Sequence, residues 1–220
     1  MSMHFSIIME FLSLLVALFH YKRLKETFYV YAIPFLFFVL YAEIGAAYYR
    51  SNHLVKTNHT GNTHIYLWIS IAETIFYSWF FYQVAAGYVF KRLVKILATM
   101  LVLTYLFLFF FYFSYVGAYY IIMTVTGIYF TIMSCIYFYK LFINAGEENI
   151  INLASFWMAI GIFVFYSGIS LVMVLHEMLM RQNVTIFGES LYNVIPQVLS
   201  IILYGCFIAA FILCRKKKTI

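Results

Sequence analysis

Lys91-Arg92-Leu93-Val94-Lys95-Ile96-Leu97-Ala98-Thr99-Met100-Leu101-Val102-Leu103-Thr104-Tyr105-Leu106-Phe107-Leu108-Phe109-Phe110-Phe111-Tyr112-Phe113 decides the fold. Three cations stand at its head, and no charge follows from Ile96 to Phe113. A helix rises about 1.5 Å per residue, so about 20 apolar residues cross the ~30 Å hydrocarbon layer. The stretch therefore reads as a membrane-spanning helix near 93–113, with its basic end at an interface. A membrane barrel would alternate apolar and polar positions, whereas here Leu, Phe and Tyr occupy successive positions. The Leu106–Phe113 run reads as lipid contact and interfacial aromatic belt, not as a cofactor box.

Working outward, six more apolar stretches fall near 5–20, 28–49, 64–88, 119–142, 151–175 and 190–214, the first short and the third long. The chain of 220 residues is 65% hydrophobic and only 10% charged, more apolar than the interior of a soluble protein this size can absorb. The expected fold is all-α: one polytopic domain over 1–220, a bundle of seven transmembrane helices. Charge sets its orientation. Of the 14 Lys and Arg residues, 11 flank one face (Lys22, Arg23, Lys25, Lys91, Arg92, Lys95, Lys140, Arg215, Lys216, Lys217 and Lys218), leaving Arg50, Lys56 and Arg181 on the other. The positive-inside rule then places the N-terminus outside and the C-terminus in the cytoplasm. The basic residues read as topology determinants and headgroup contacts, which argues against a nucleic-acid partner. The opening Met-Ser-Met-His lacks a basic n-region, so the first stretch reads as a retained helix. Cys135, Cys206 and Cys214 all fall in or at the end of helices, which implies no disulfide framework.

The longest break, Ser51 to Thr63, is polar and outward-facing, and a tight turn around Gly117 is expected between helices four and five. The inner break before helix six has Gly146 as a helix stop and Asn149 at the next start. Seven helices invite the three-plus-one-plus-three repeat of PQ-loop sugar transporters. However, Pro196-Gln197 in helix seven and Pro34 in helix two are not equivalent positions under that repeat. Pro34 is expected to kink helix two. Small residues mark where helices can approach: Ala42, Gly45 and Ala46; Gly161, Gly168 and Ser170; Gly205 and Ala209.

Ionisable side chains inside spanning helices are costly and usually face inward. Glu10, Glu43 and Glu73 qualify, each roughly 9–14 Å below the outer end of its helix. Asn193 and Gln197, four apart on helix seven, share that outer half, and His64 stands at the outer end of helix three. The candidate site is an outward-opening polar pocket lined by Glu43, Glu73, Asn193 and Gln197 with Glu10 and His64 nearby. Carboxylates there can hold a cation, carry a proton or receive an amine. The competing reading makes them structural, bonded to some of the 21 tyrosines. Glu10, on the short terminal helix, reads as structural or peripheral. The inner half is poorer in polar residues, with Gln83 and Lys140 its main contributions.

Catalytic readings find little support. There is no Asp, no His-Glu-x-x-His run, no nucleophile elbow and no lysine in mid-helix seven for a Schiff base. The expectation is a non-enzymatic protein without catalytic residues, metal site or cofactor.

Certain residues carry a resemblance. They are Ile65-Tyr66-Leu67-Trp68 leading to Ala72-Glu73-Thr74-Ile75-Phe76-Tyr77, then Phe156-Trp157 with Gly161 and Phe165-Tyr166-Ser167-Gly168, and the ending Ile201 to Arg215. In these the chain resembles a family of uncharacterised seven-helix inner-membrane proteins of Bacteroidota. The resemblance implies a multi-pass location in a bacterial inner membrane. It marks Glu73, Trp157, Tyr166 and Gly168 as candidates and brings no established activity.

Together these readings favour a ligand sensor, or the membrane subunit of a signalling or defence system. Having no output domain, it would act through a protein partner on its cytoplasmic face, at Arg23, Lys91, Arg92 and the Lys216–Lys218 tail. The alternative is a proton- or cation-coupled small-solute transporter or channel with Glu43 and Glu73 as its ion site. A conduction path should stay polar inward, and the fading polarity speaks for the one-sided pocket.

Overall fold

Seven long helices form where the apolar stretches fall, as seen in a computed structural model that describes residues 3–51, 61–84, 87–111, 116–144, 149–175, 178–179, 185–186 and 189–214. They are α1 (Met3–Phe19), α2 (Ala32–Ser51), α3 (Gly61–Val84), α4 (Tyr88–Phe111), α5 (Val116–Asn144), α6 (Ala154–Val174) and α7 (Leu191–Leu213). The only described strands, Thr185–Ile186 and Glu189–Ser190, form a small antiparallel hairpin before α7.

Among the described residues, five segments are long and apolar enough to cross a bilayer: Phe28–Tyr49, Tyr88–Phe111, Tyr120–Ile143, Ala154–Val174 and Val194–Leu213. Phe5–Phe19 is apolar but shorter. The chain is thus a polytopic helical membrane protein. α3, the most polar long helix, is missing from the five for a structural reason. It carries Ser70, Glu73, Thr74, Tyr77 and Ser78 on a face that is buried in protein. A helix solvated by other helices needs less hydropathy than one solvated by lipid. α4 is the converse, the most apolar of these spans and the least buried.

The packing order follows. A circuit of contacts runs α1–α2–α3–α5–α6–α7 and back to α1, while α4 lies against α3 and α5 from outside. Lipid supplies no hydrophobic force between helices, so close packing and hydrogen bonds must hold the circuit together. Glycine makes the tightest approaches possible. A side chain at Gly127 of α5 would strike Ser170 Oγ and lie 2.9 Å from the Tyr166 carbonyl of α6. One at Gly161 of α6 would lie 2.9 Å from Cys206 Cβ of α7. Gly45 differs from that expectation: it is exposed, with nothing within 4 Å of the position a Cβ would take, whereas Ala46 beside it is buried.

At the centre stands Tyr77 of α3, fully buried. Its ring meets Phe35 of α2, Phe130 of α5, Tyr166 of α6 and Phe207 of α7 edge-on, at centroid distances of 5.4, 5.6, 5.7 and 6.1 Å. Each such pair contributes about 0.5–1.5 kcal/mol beyond area burial.

Three local expectations are revised. Pro34 makes no mid-helix kink, because a 3-10 turn, Phe28–Tyr31, precedes α2 and leaves the proline in the first turn of the α-helix. A missing N–H there removes no intrahelical bond. Gly117 lies within the first turn of α5. α4 begins at Tyr88, so Lys91, Arg92 and Lys95 ride on the helix instead of preceding it. Asn149 does act at a helix start: its side chain accepts from the Ile151 N–H at 3.2 Å. Gly146, His176, Glu177 and the tail 215–220 lie outside the described residues.

Candidate functional site

Glu10 sits on α1 with Ser13, Leu14 and Ala17, the i, i+3, i+4, i+7 spacing of one buried face. That face turns toward α7 and α2, the neighbours of α1 in the circuit. Glu73 opens the corresponding face of α3, one turn before Tyr77. Glu43 lies half-buried on α2. The three carboxylates, from three different helices, lie within electrostatic range of one another. Tyr77 and Tyr204 are within range of the same carboxylates. A central cluster thus gathers side chains from α1, α2, α3, α6 and α7.

Within it Tyr166 Oη donates to Glu73 Oε2 at 3.0 Å, both side chains being buried. Tyr166 is presented by the α5–α6 approach at Gly127, so a glycine on one helix sets the position of a donor on the next. Two hydroxyls of α3 beside Glu73 are satisfied locally: Thr74 Oγ1 donates to the Ser70 carbonyl at 2.7 Å, and Ser70 Oγ to that of Tyr66 at 2.8 Å. Other polar atoms of the cluster remain unpaired. Among the described residues Glu10 Oε2, Ser13 Oγ and the Tyr77 hydroxyl are buried without a hydrogen-bond partner. Such atoms normally find partners in a folded interior.

The sequence-derived candidates separate as follows. Glu43, Glu73 and Tyr166 belong to the cluster. Gln197 is half-buried on α7, seven residues before Tyr204 and so on the same helix face, two turns away. The side chains of His64 and Asn193 lie outside the described residues. Trp157 stands apart: its Nε1 donates to the Ile151 carbonyl at 2.8 Å and ties the start of α6 to the preceding turn. Glu10, read as structural or peripheral, is buried, 4% exposed. Its burial depends on α7 returning to pack on α1, a long-range contact that residue spacing on α1 does not encode.

Charge alone limits what the cluster can hold. Several ionised carboxylates in a low-dielectric interior repel one another and pay heavily for lost hydration, so such a cluster favours added positive charge. The spacing is wider than metal coordination: among the described residues no three His, Cys or Glu side chains are grouped to hold an ion.

A second feature lies at the basic end. A pocket of about 770 Å³ is lined by Glu26, Thr27, Gln83, Asn149, Asn152 and Ser155, together with Tyr29 and Cys214. Sequence depth missed it, because most of its polar groups come from the turns before α2 and α6 and not from helix interiors. Tyr137 Oη donates to Ser155 Oγ at 2.8 Å, and Thr27 Oγ1 lies 3.7 Å from Cys214 Sγ, which knits its walls together. Between pocket and cluster lie Phe80, Phe81, Phe207 and Phe211, all fully buried. Tyr77 and Gln83 are six residues apart on α3, so this aromatic layer spans about 9 Å.

No protein-family model, curated protein or solved structure matches the chain.

Proposed function

We propose that the protein is a non-enzymatic seven-span membrane protein, N-terminus outside and C-terminus cytoplasmic, that senses a small cationic ligand or a proton at the Glu10–Glu43–Glu73 cluster. In this reading it is the membrane subunit of a signalling or defence system in a bacterial inner membrane. It passes its state to a protein partner at the basic face formed by Arg23, Lys91, Arg92 and the tail. The observation that carries the proposal is the convergence of three intramembrane carboxylates with Tyr77, Tyr166 and Tyr204, closed off from the basic end by buried phenylalanines. Intramembrane ionisable residues mark ligand or proton sites by default, because packing alone would select apolar side chains there. Occupancy can reach the basic face through α3 and α7, which carry cluster residues at mid-helix and pocket residues, Gln83 and Cys214, at their ends.

The pocket also favours a second reading, a proton- or cation-coupled transporter. It supplies a polar vestibule on the same two helices, so that movement of the aromatic layer alone would join the two compartments. Ion and proton flux in proteoliposomes, with wild type beside a Glu43→Gln, Glu73→Gln double variant, separates the two. The sensor reading expects no flux above that of empty vesicles. Flux lost in the double variant would replace it with transport.

A further inference from the structure

A groove of about 470 Å³ runs between α3 and α4 on the side away from the carboxylate cluster. Ile75, Trp79 and Tyr82 line it from α3, and Lys95, Ala98 and Leu103 from α4. It has the size of a ligand site and an almost wholly apolar wall. It is a groove in the lipid-facing surface, because α4 packs mainly on α3 and α5 and leaves most of its own surface uncovered. Ser78, the main polar group beside Lys95 and Thr99, is already engaged by the Tyr129 hydroxyl at 3.1 Å, and Thr99 Oγ1 donates to the Lys95 carbonyl at 2.8 Å.

One end of this groove is cationic. Lys95 lies seven residues into α4, about 10 Å along the helix from its start. It is exposed and has no ion-pair partner among the described residues. Lys91 precedes it by one turn on the same face, with its Nζ 5.2 Å from the centre of the Tyr82 ring, and Tyr82 itself lines the groove. An apolar slot that begins beside two lysines at an interface and runs toward mid-membrane has the charge and shape of one lipid class. A neutral lipid would fill the slot and leave the cations unanswered. A soluble anion would answer the cations and leave the slot empty.

We propose that the α3–α4 groove is a binding site for an anionic phospholipid of the leaflet at the basic end, with an acyl chain along Trp79 and Ala98 and its phosphate held by Lys91 and Lys95. The site is independent of the carboxylate cluster, and the proposal stands whether or not that cluster binds a ligand. Trp79 provides the readout. With Trp68 and Trp157 changed to Phe, its fluorescence reports on the groove alone. The protein is reconstituted into phosphatidylcholine vesicles containing phosphatidylglycerol, with brominated acyl chains on one lipid or the other at equal mole fraction.

Brominated phosphatidylglycerol is expected to quench Trp79 as though enriched about fivefold for each lysine engaged. A Lys91→Gln, Lys95→Gln variant should quench equally with either lipid. Ala98→Phe fills the slot without touching a charge, and it should reduce quenching by the anionic lipid in a bundle whose helicity and melting are unchanged. Equal quenching by both lipids in the parent protein would overturn the proposal, as would a preference that survives loss of both lysines. The parent comparison decides the matter even if a variant fails to fold.

Discussion

Replacing Tyr166 with Phe deletes a single hydroxyl from the centre of the bundle, and its effect can be worked from the contacts around it. The ring is 1% exposed and packs on Phe130 and Tyr77 at 4.6 and 5.7 Å, contacts that phenylalanine keeps. What is lost is the 3.0 Å hydrogen bond to Glu73 Oε2. Hydrogen bonds between membrane helices contribute about 0.6 kcal/mol on average and about 1.7 at most. The acceptor here is a buried carboxyl oxygen left without its donor, which places the loss toward the upper end, about 1–2 kcal/mol. A double-mutant cycle with Glu73→Met isolates the pair, read by reversible SDS unfolding in mixed micelles. The expected coupling is about 1 kcal/mol or more, and single losses that add to within about 0.3 kcal/mol would refute the bond as a structural link between α3 and α6.

Other positions give sharper signs. Tyr77→Phe removes a hydroxyl with no partner among the described residues and keeps four ring contacts, so stability should stay within about 0.5 kcal/mol or rise, measured by the same unfolding curve. A fall of more than about 1 kcal/mol would show that the hydroxyl is bonded after all. Gly161→Leu forces a side chain against Cys206 Cβ and the Leu203 carbonyl of α7 and should cost about 1–3 kcal/mol, whereas Gly45→Leu, in open space, should cost under about 0.5 kcal/mol. A lipid-soluble maleimide should label Cys135, which is exposed, and spare the buried Cys206 and Cys214 until the protein is unfolded. Mass spectrometry of the intact chain would then count one adduct, and two or more would contradict the packing of α7.

The spans were legible because the bilayer imposes length and apolarity on each one separately. Helix positions read from composition agree with the structure to within a few residues, and the largest shift, at the start of α4, arises because a helix can carry lysines beyond the hydrocarbon edge. The partners of each helix were not legible. The α1–α7 and α3–α5 contacts join stretches far apart in sequence, and small residues mark a possible approach without naming the neighbour. The candidate site was half legible for the same reason. Glu43 and Glu73 declared themselves as costly residues at one depth, and Tyr166 came from the resemblance. The depth of Glu10 in the bundle was not legible, because its burial belongs to the packing of α7 on α1. Tyr77 and Tyr204 are two among 21 tyrosines, distinguishable only once α3 is known to be the centre of the bundle.

The account turns on the three carboxylates acting as one site for positive charge. Thermal unfolding of the purified protein across a panel of small organic amines, with wild type beside Glu10→Gln, Glu43→Gln and Glu73→Gln, tests this directly. An amine at 100 times its Kd stabilises the folded state by about 2.7 kcal/mol, enough to move the transition by several degrees. The account predicts such a shift in the wild type and its reduction by each of the three substitutions, although they lie on three separate helices. A shift that survives all three, or no shift with any amine in well-folded protein over the pH range that titrates carboxylates, would contradict it.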